Sequence, residues 1–159
     1  MPNLSKMALV TEMASSRKVW VPLLILLCLQ CRLLVQSKDT SRRKFMEEHY
    51  ISPRQEFGEY KCYILMTETA ALKNKISHLF IYTPWYKVDQ ICYSSNWNDR
   101  YRNVYVWAHM PMKVLKCHKE SCTNSYIESR SYSYVQFHCN LNGYVDSIED
   151  TKLIQHIFI

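Results

Sequence analysis

Three kinds of chemistry lie within reach of the residue types in this chain. His49 ends the helix-like run Phe45-Met46-Glu47-Glu48-His49, and an imidazole titrates near neutral pH, so it is the natural candidate for a general base or acid. The competing structural assignment is a partly buried histidine, one helical turn from Phe45, that holds a backbone carbonyl; this is the expected one. Lys75 could supply a cation, but it opens a run rich in β-forming residues and reads as a strand-edge lysine that discourages unwanted pairing. Soft metal ligands cluster at Cys117-His118, Cys122 and His138-Cys139. Zinc needs four such ligands in a tetrahedron, the spacing fits no strong zinc pattern, and strand alternation sends His138 and Cys139 to opposite faces. No metal and no cofactor are expected.

The remaining chemistry is that of thiols, and it depends on compartment. An apolar run from Val19 to Leu29 follows Arg17 and Lys18 and is broken by Gln30 and Arg32. It is too short to cross a hydrocarbon core of about 30 Å comfortably. A basic start, an apolar middle and small or β-branched residues at Val35 and Ser37 fit a secretory signal spanning residues 1–37, cut near Ser37. The residues before Met13 are long for such a leader, and Met13 could be the true initiator. Among the 159 residues are seven cysteines; cleavage would leave five, at 62, 92, 117, 122 and 139, in an oxidising environment where disulfides persist. Five is odd, so at least one thiol is free, capped or paired with another chain.

Charge argues against several functions. The whole chain carries a formal +6, from 20 basic and 14 acidic residues. Losing Lys6, Arg17, Lys18, Arg32 and Glu12 with the leader leaves 16 basic and 13 acidic residues, a net +3. A phosphate-binding surface needs clustered charge, and apart from Arg42-Arg43-Lys44, which suits the solvated start of a helix, the cations are scattered. DNA binding is not expected, RNA binding would be weak or absent, and a membrane-active defence protein is poorly supported. The single sequon, Asn3-Leu4-Ser5, precedes the cut, so no N-glycan is expected on the mature chain. Twelve tyrosines and four tryptophans, among them Tyr101, Tyr105, Trp107, Tyr132 and Tyr134, could form one exposed surface suited to protein recognition.

The elements that would position these groups fall into two halves of a single domain, residues 38–159. A helix capped by Asp39, Thr40 or Ser41 carries Phe45 and His49 and is closed by Pro53. A second helix lies between Gly58 and Asn74, with Cys62 near its inward side. A strand covers residues 75–82, and Thr83-Pro84 opens a third helix bearing Trp85, Val88, Ile91 and Cys92. After a polar loop at Asn96 to Asp99, period-two alternation predicts strands around Val104 to Ala108, Met112 to Cys117 and Ser131 to Cys139. Asn142-Gly143 then predicts a two-residue hairpin into a last strand from Tyr144 to Ile148. Helices first and antiparallel strands after make an α+β domain.

Phe45-x-x-x-His49 ahead of the first cysteine, Lys75 and Phe80 ahead of Cys92, and the cysteine order resemble the pancreatic-ribonuclease superfamily over nearly the whole mature chain. The segments Glu59-Tyr60-Lys61-Cys62, Asp99-Arg100-Tyr101-Arg102-Asn103, Glu128-Ser129-Arg130-Ser131 and Gly143-Tyr144-Val145-Asp146 are similar to one branch, the epididymal secretory proteins of the type-three group. The resemblance implies a ribonuclease A-like fold, three helices on a curved antiparallel sheet, with Cys62 joined to Cys117 and Cys92 to Cys139. Cys122 is left unpaired and could form an intermolecular disulfide and a dimer.

For the superfamily's chemistry, RNA transesterification, a base, an acid and a cation are required. By resemblance His49 would be the base and Lys75 the cation. Glu48 stands where the superfamily has a phosphate-contacting glutamine, Leu79 replaces the hydroxyl that reads a pyrimidine, and Ser147 or Ile148 stands where the acidic histidine should be. His49 and Lys75 are therefore expected as vestiges, with no working catalytic set. The branch implies a secreted, extracellular pseudoenzyme of the epididymis, with a role in sperm maturation through binding a sperm-surface or epididymal-fluid protein. The alternative is a weak or altered RNA-cleaving enzyme using His49 and Lys75 with another acid, such as Asp146, Glu149 or His156.

Overall fold

The computed structural model describes residues 20–31, 40–93 and 103–159. The chain divides into two compact units, Met1–Asp39 and Thr40–Ile159. Of the first, the described part is a helix over residues 20–31. Among the described residues no helix is long and apolar enough to cross a membrane.

The second unit begins with helix α1, residues 40–49. Phe45 is its buried anchor, and Arg42 grips Asp89 through a two-pronged ion pair of 2.8 and 2.9 Å. The chain leaves α1 directly into a short strand, β1 (Tyr50–Ile51), which pairs in parallel with β2 (Ser77–Tyr82). The helix thus ends four residues before Pro53; strand pairing, rather than proline, terminates it. Helix α2 is only Cys62–Glu68, flanked by single 3-10 turns at Phe57–Glu59 and Ala70–Leu72. Helix α3 covers Trp85–Gln90; Pro84, not Thr83, occupies its N-cap, and Thr83 is buried instead. The polar stretch Asn96 to Asp99, and Tyr101, lie outside the described residues.

The other strands are β3 (Val104–Trp107), β4 (Met112–Lys119), β5 (Tyr126–Cys139) and β6 (Val145–His156), all antiparallel to their partners. The sheet runs β1-β2-β4-β5-β3, with β6 also pairing with β5. Two expectations need correction at its end. The hairpin loop has three residues, because Asn140 N–H donates to the Tyr144 carbonyl (2.9 Å) and Gly143 N–H to the Asn140 carbonyl (2.9 Å). Gly143 takes φ 82°, the left-handed conformation such a loop needs. The last strand also continues well past Ile148, to His156.

Period-two alternation places a core on each face of the sheet. Ile81, Val114, Val135 and Phe137 pack with Phe45, Val88 and Ile91 under α1 and α3. Their neighbours Phe80 and Leu115 point the other way, to Met66, Leu72 and Phe57 around α2. One disulfide lies in each core: Cys92–Cys139 in the first and Cys62–Cys117 in the second. They close loops of 47 and 55 residues. Replacing Cys62 and Cys117 together with alanine is expected to lower unfolding free energy by about 2–4 kcal/mol, read as a shifted urea midpoint; an unchanged midpoint would show that the bridge carries no stability.

Candidate functional site

The C-terminal turn of α1 and strand β2 are joined by a reciprocal pair of side-chain contacts. His49 Nδ1 donates to the Leu79 carbonyl (2.9 Å), and His78 Nε2 donates to the Glu48 carbonyl. Each helix-end or strand carbonyl thereby gains a partner that buried backbone requires. Because both contacts run to carbonyl oxygens, the bonded nitrogens carry the protons, and the lone pairs sit on His49 Nε2 and His78 Nδ1. The two rings stack with centroids 4.4 Å apart at 20°. The core residue Phe45 also stacks on His49, at 5.1 Å, and Phe80 meets His78 edge-on at 4.9 Å.

Burial dominates the electrostatics of this pair. It lowers the His49 pKa below the ordinary imidazole value, against the raising influence of the Leu79 carbonyl and the Glu48 carboxylate; Lys75 adds to the lowering. His78 is pushed down to about 4, first by burial and then by His49 beside it. Both imidazoles are therefore neutral at physiological pH. Lys75 itself is exposed in the turn before β2, acting on the pair through space.

The pair opens into a cleft of about 540 Å3. Its other walls are Lys116 and His118 of β4 and Ile148, Glu149, Asp150 and Thr151 of β6. Ile148 is opposite Phe137 and packs on the first core. Glu149 is the extra residue of a β-bulge, since Phe137 pairs with Ile148 and Gln136 with Asp150. Its carboxylate accepts from the Ser147 hydroxyl at 2.7 Å. The other two acid candidates lie elsewhere. Asp146 binds His138 Nδ1 at 2.6 Å, and exposed His156 sits opposite Ser131, with its ring against Phe158.

His78 is the residue of this site that sequence reasoning missed. Its signal was available: strand alternation puts His78 and Phe80 on one face of β2. Cys122 is exposed in the β4–β5 turn, where the Glu120 carboxylate accepts from Thr123 (2.8 Å) and Ser125 (2.9 Å), contacts that lower its pKa. On the sheet, Tyr105 faces His138 and Trp107 faces Gln136; the two aromatics are 60% and 40% exposed, and Tyr132 is exposed on β5.

A histidine held at the end of the first helix, over a curled, disulfide-bridged antiparallel sheet, defines the class of protein. Residues 40–152 match the pancreatic ribonuclease family model, and the chain belongs to that family. It is 61% identical over 145 residues to human epididymal secretory protein E3-beta, covering 91% of this chain and 99% of the relative. Human epididymal secretory protein E3-alpha is 52% identical over the same coverage. Among solved structures, amphinase, a cytotoxic ribonuclease from Rana pipiens oocytes, superposes with a TM-score of 0.59 at 18% identity, covering 72% of this chain and 99% of its own. Green turtle egg white ribonuclease gives 0.56 at 14% identity, with 72% and 98% coverage. At these identities the two structures speak to the fold alone.

The histidine clasp has a pH signature. Both pKa values are depressed by folding, so the unfolded chain binds more protons; the stabilisation is complete above pH 6.5 and is lost as pH falls toward about 4. His78→Gln, which keeps an N–H donor but cannot charge, should flatten the fall in thermal midpoint across that window. An equally steep fall in the variant would remove the clasp from the account.

Proposed function

We propose that this is a secreted, catalytically silent member of the ribonuclease family that acts by binding, in epididymal fluid, in support of sperm maturation. The observation that carries the silent-enzyme part is Ile148: on β6 the cleft wall shared with His49 offers an isoleucine, which can neither donate nor accept a proton. Transfer of a proton to the leaving oxygen by a positioned acid is worth about 10²–10⁴-fold. The neighbouring carboxylates, Glu149 and Asp150, further disfavour a phosphate in the cleft by like-charge repulsion. The names of the two human relatives support the epididymal and secretory parts.

On this proposal residues 1–37 are removed as a signal and 38–159 form the mature single domain. Binding to a sperm-surface or fluid protein runs through the exposed aromatics Tyr105, Trp107 and Tyr132, and Cys122 is available for a disulfide-linked dimer. RNA binding is weak or absent.

A weaker, second reading rests on Glu149, which shares the cleft with His49 and could serve as an acid. Incubation of purified protein with single-stranded RNA separates the two. The silent reading expects no turnover beyond a His49→Ala control, whereas turnover abolished by His49→Ala, with an alkaline limb in its pH profile, where a general acid loses its proton, abolished by Glu149→Gln, would establish the enzyme. For the thiol, Cys122→Ser should remove any dimer band on non-reducing gels; a dimer that persists in the variant would exclude that linkage.

A further inference from the structure

A second cleft, of about 440 Å3, lies where α3 and β4 approach each other, and it shares no wall with the His49 cleft. That volume is within the range of small-molecule sites. Its walls combine Ile91, Met110 and Met112 with three prolines, Pro53, Pro84 and Pro111, and no aspartate or glutamate is among the described residues lining it. The charges present are those of Lys87 and Lys113, with His109 at the same wall. Neither lysine makes an ion pair among the described residues.

Lys113 is the telling group. It is half-buried, and its ammonium lies 5.5 Å from the Tyr82 ring centroid and 5.9 Å from those of Phe57 and Tyr132. Three ring faces give partial compensation for lost hydration. They supply no counter-charge, and a partly desolvated cation without one leaves electrostatic stabilisation open to an incoming anion. Beside it the methionines provide a soft, adaptable apolar wall.

We propose that this cleft binds a small amphipathic organic anion. One anionic head group pairs with Lys113 and Lys87, and an apolar body lies along Met110, Met112 and Ile91. The site is independent of whether the His49 cleft is silent. Carboxylate, sulfate and phosphate heads share this chemistry, so the probes separate charge from apolar contact.

Calorimetric titration of the protein purified from eukaryotic cells, with 4-phenylbutyrate, neutral 4-phenylbutanol and inorganic phosphate, tests the proposal. Phenylbutyrate is expected to bind at least about ten-fold more tightly than either of the others, the scale of a charge-assisted contact. Lys113→Met, which keeps an apolar stem among the rings, should lose about ten-fold, and Lys87→Gln a smaller factor. Equal affinity for the alcohol, equal affinity for phosphate, or unchanged affinity in both variants would overturn it. Should Lys113→Met fail to fold, methyl resonances of Met110 and Met112 in the unaltered protein decide the matter. Shifts there on adding phenylbutyrate support the site; shifts confined to the His49 cleft, or none, overturn it.

Discussion

A sheet with an apolar core on each face is the constraint from which the rest of this structure follows. The centres of β2 and β4 must be apolar on both faces, because Phe80 and Ile81, and likewise Leu115 and Val114, are buried on opposite sides. A domain this small gains from covalent support, and each core receives one bridge. Cys92–Cys139 ties the turn after α3 to β5 beneath the first, and Cys62–Cys117 ties α2 to β4 beneath the second. Neither helix group could shift along the sheet without opening a core that its own disulfide holds shut.

The site inherits its geometry from that arrangement. With Phe45 fixed in the first core, the last turn of α1 lies over β2, and the facing carbonyls of Glu48 and Leu79 take the histidine protons. Stacking the two rings within 4.4 Å penalises a charge on either, since each would face the other in a partly dehydrated place. The same burial that makes a good clasp makes His49 a poorer base than a free imidazole, because its proton affinity has been lowered. Structural use of this histidine lowers its pKa, whereas use as a base favours a pKa near the operating pH and a free Nε2 presented to a substrate.

Much of this was legible in the sequence. The family was legible through the resemblance of several short segments, whereas the α+β order and the face of β5 on which Val135, Phe137 and Cys139 lie follow from residue spacing and alternation, because a strand with one buried face shows a period of two in the order of its residues. The lengths of elements were less legible. Helix α1 stops at His49 because Tyr50 and Ile51 find strand partners in Ile81 and Tyr82, a contact invisible to local propensity. The second helix contracts to Cys62–Glu68 because the backbone turns extended at Thr69 (φ −87°, ψ 116°), and Ala70–Leu72, good helix formers by propensity, make only a 3-10 turn beyond it. The second half of β6 has no buried alternation to reveal it: residues 152–156 are all exposed, and backbone pairing with β5 alone makes them a strand. His78 escaped notice for a different reason, since its role depends on a helix carbonyl supplied by another part of the chain.

Bulges in β6 explain how one strand can present so many side chains to one cleft. Register shifts against β5 leave Asp146, Glu149 and Ile154 without a directly opposed partner. In a regular strand, residues 148 to 151 would alternate between the core face and the opposite face. The extra residue at Glu149 bends the strand and increases its twist, so that Ile148, Glu149, Asp150 and Thr151 all border the space beside His49 and His78. What the bulge brings to the cleft is one apolar wall and two carboxylates, against the single lysine among the described residues that line it, Lys116 of β4. That balance of charge suits an anionic phosphodiester less well than a site without the two acids would.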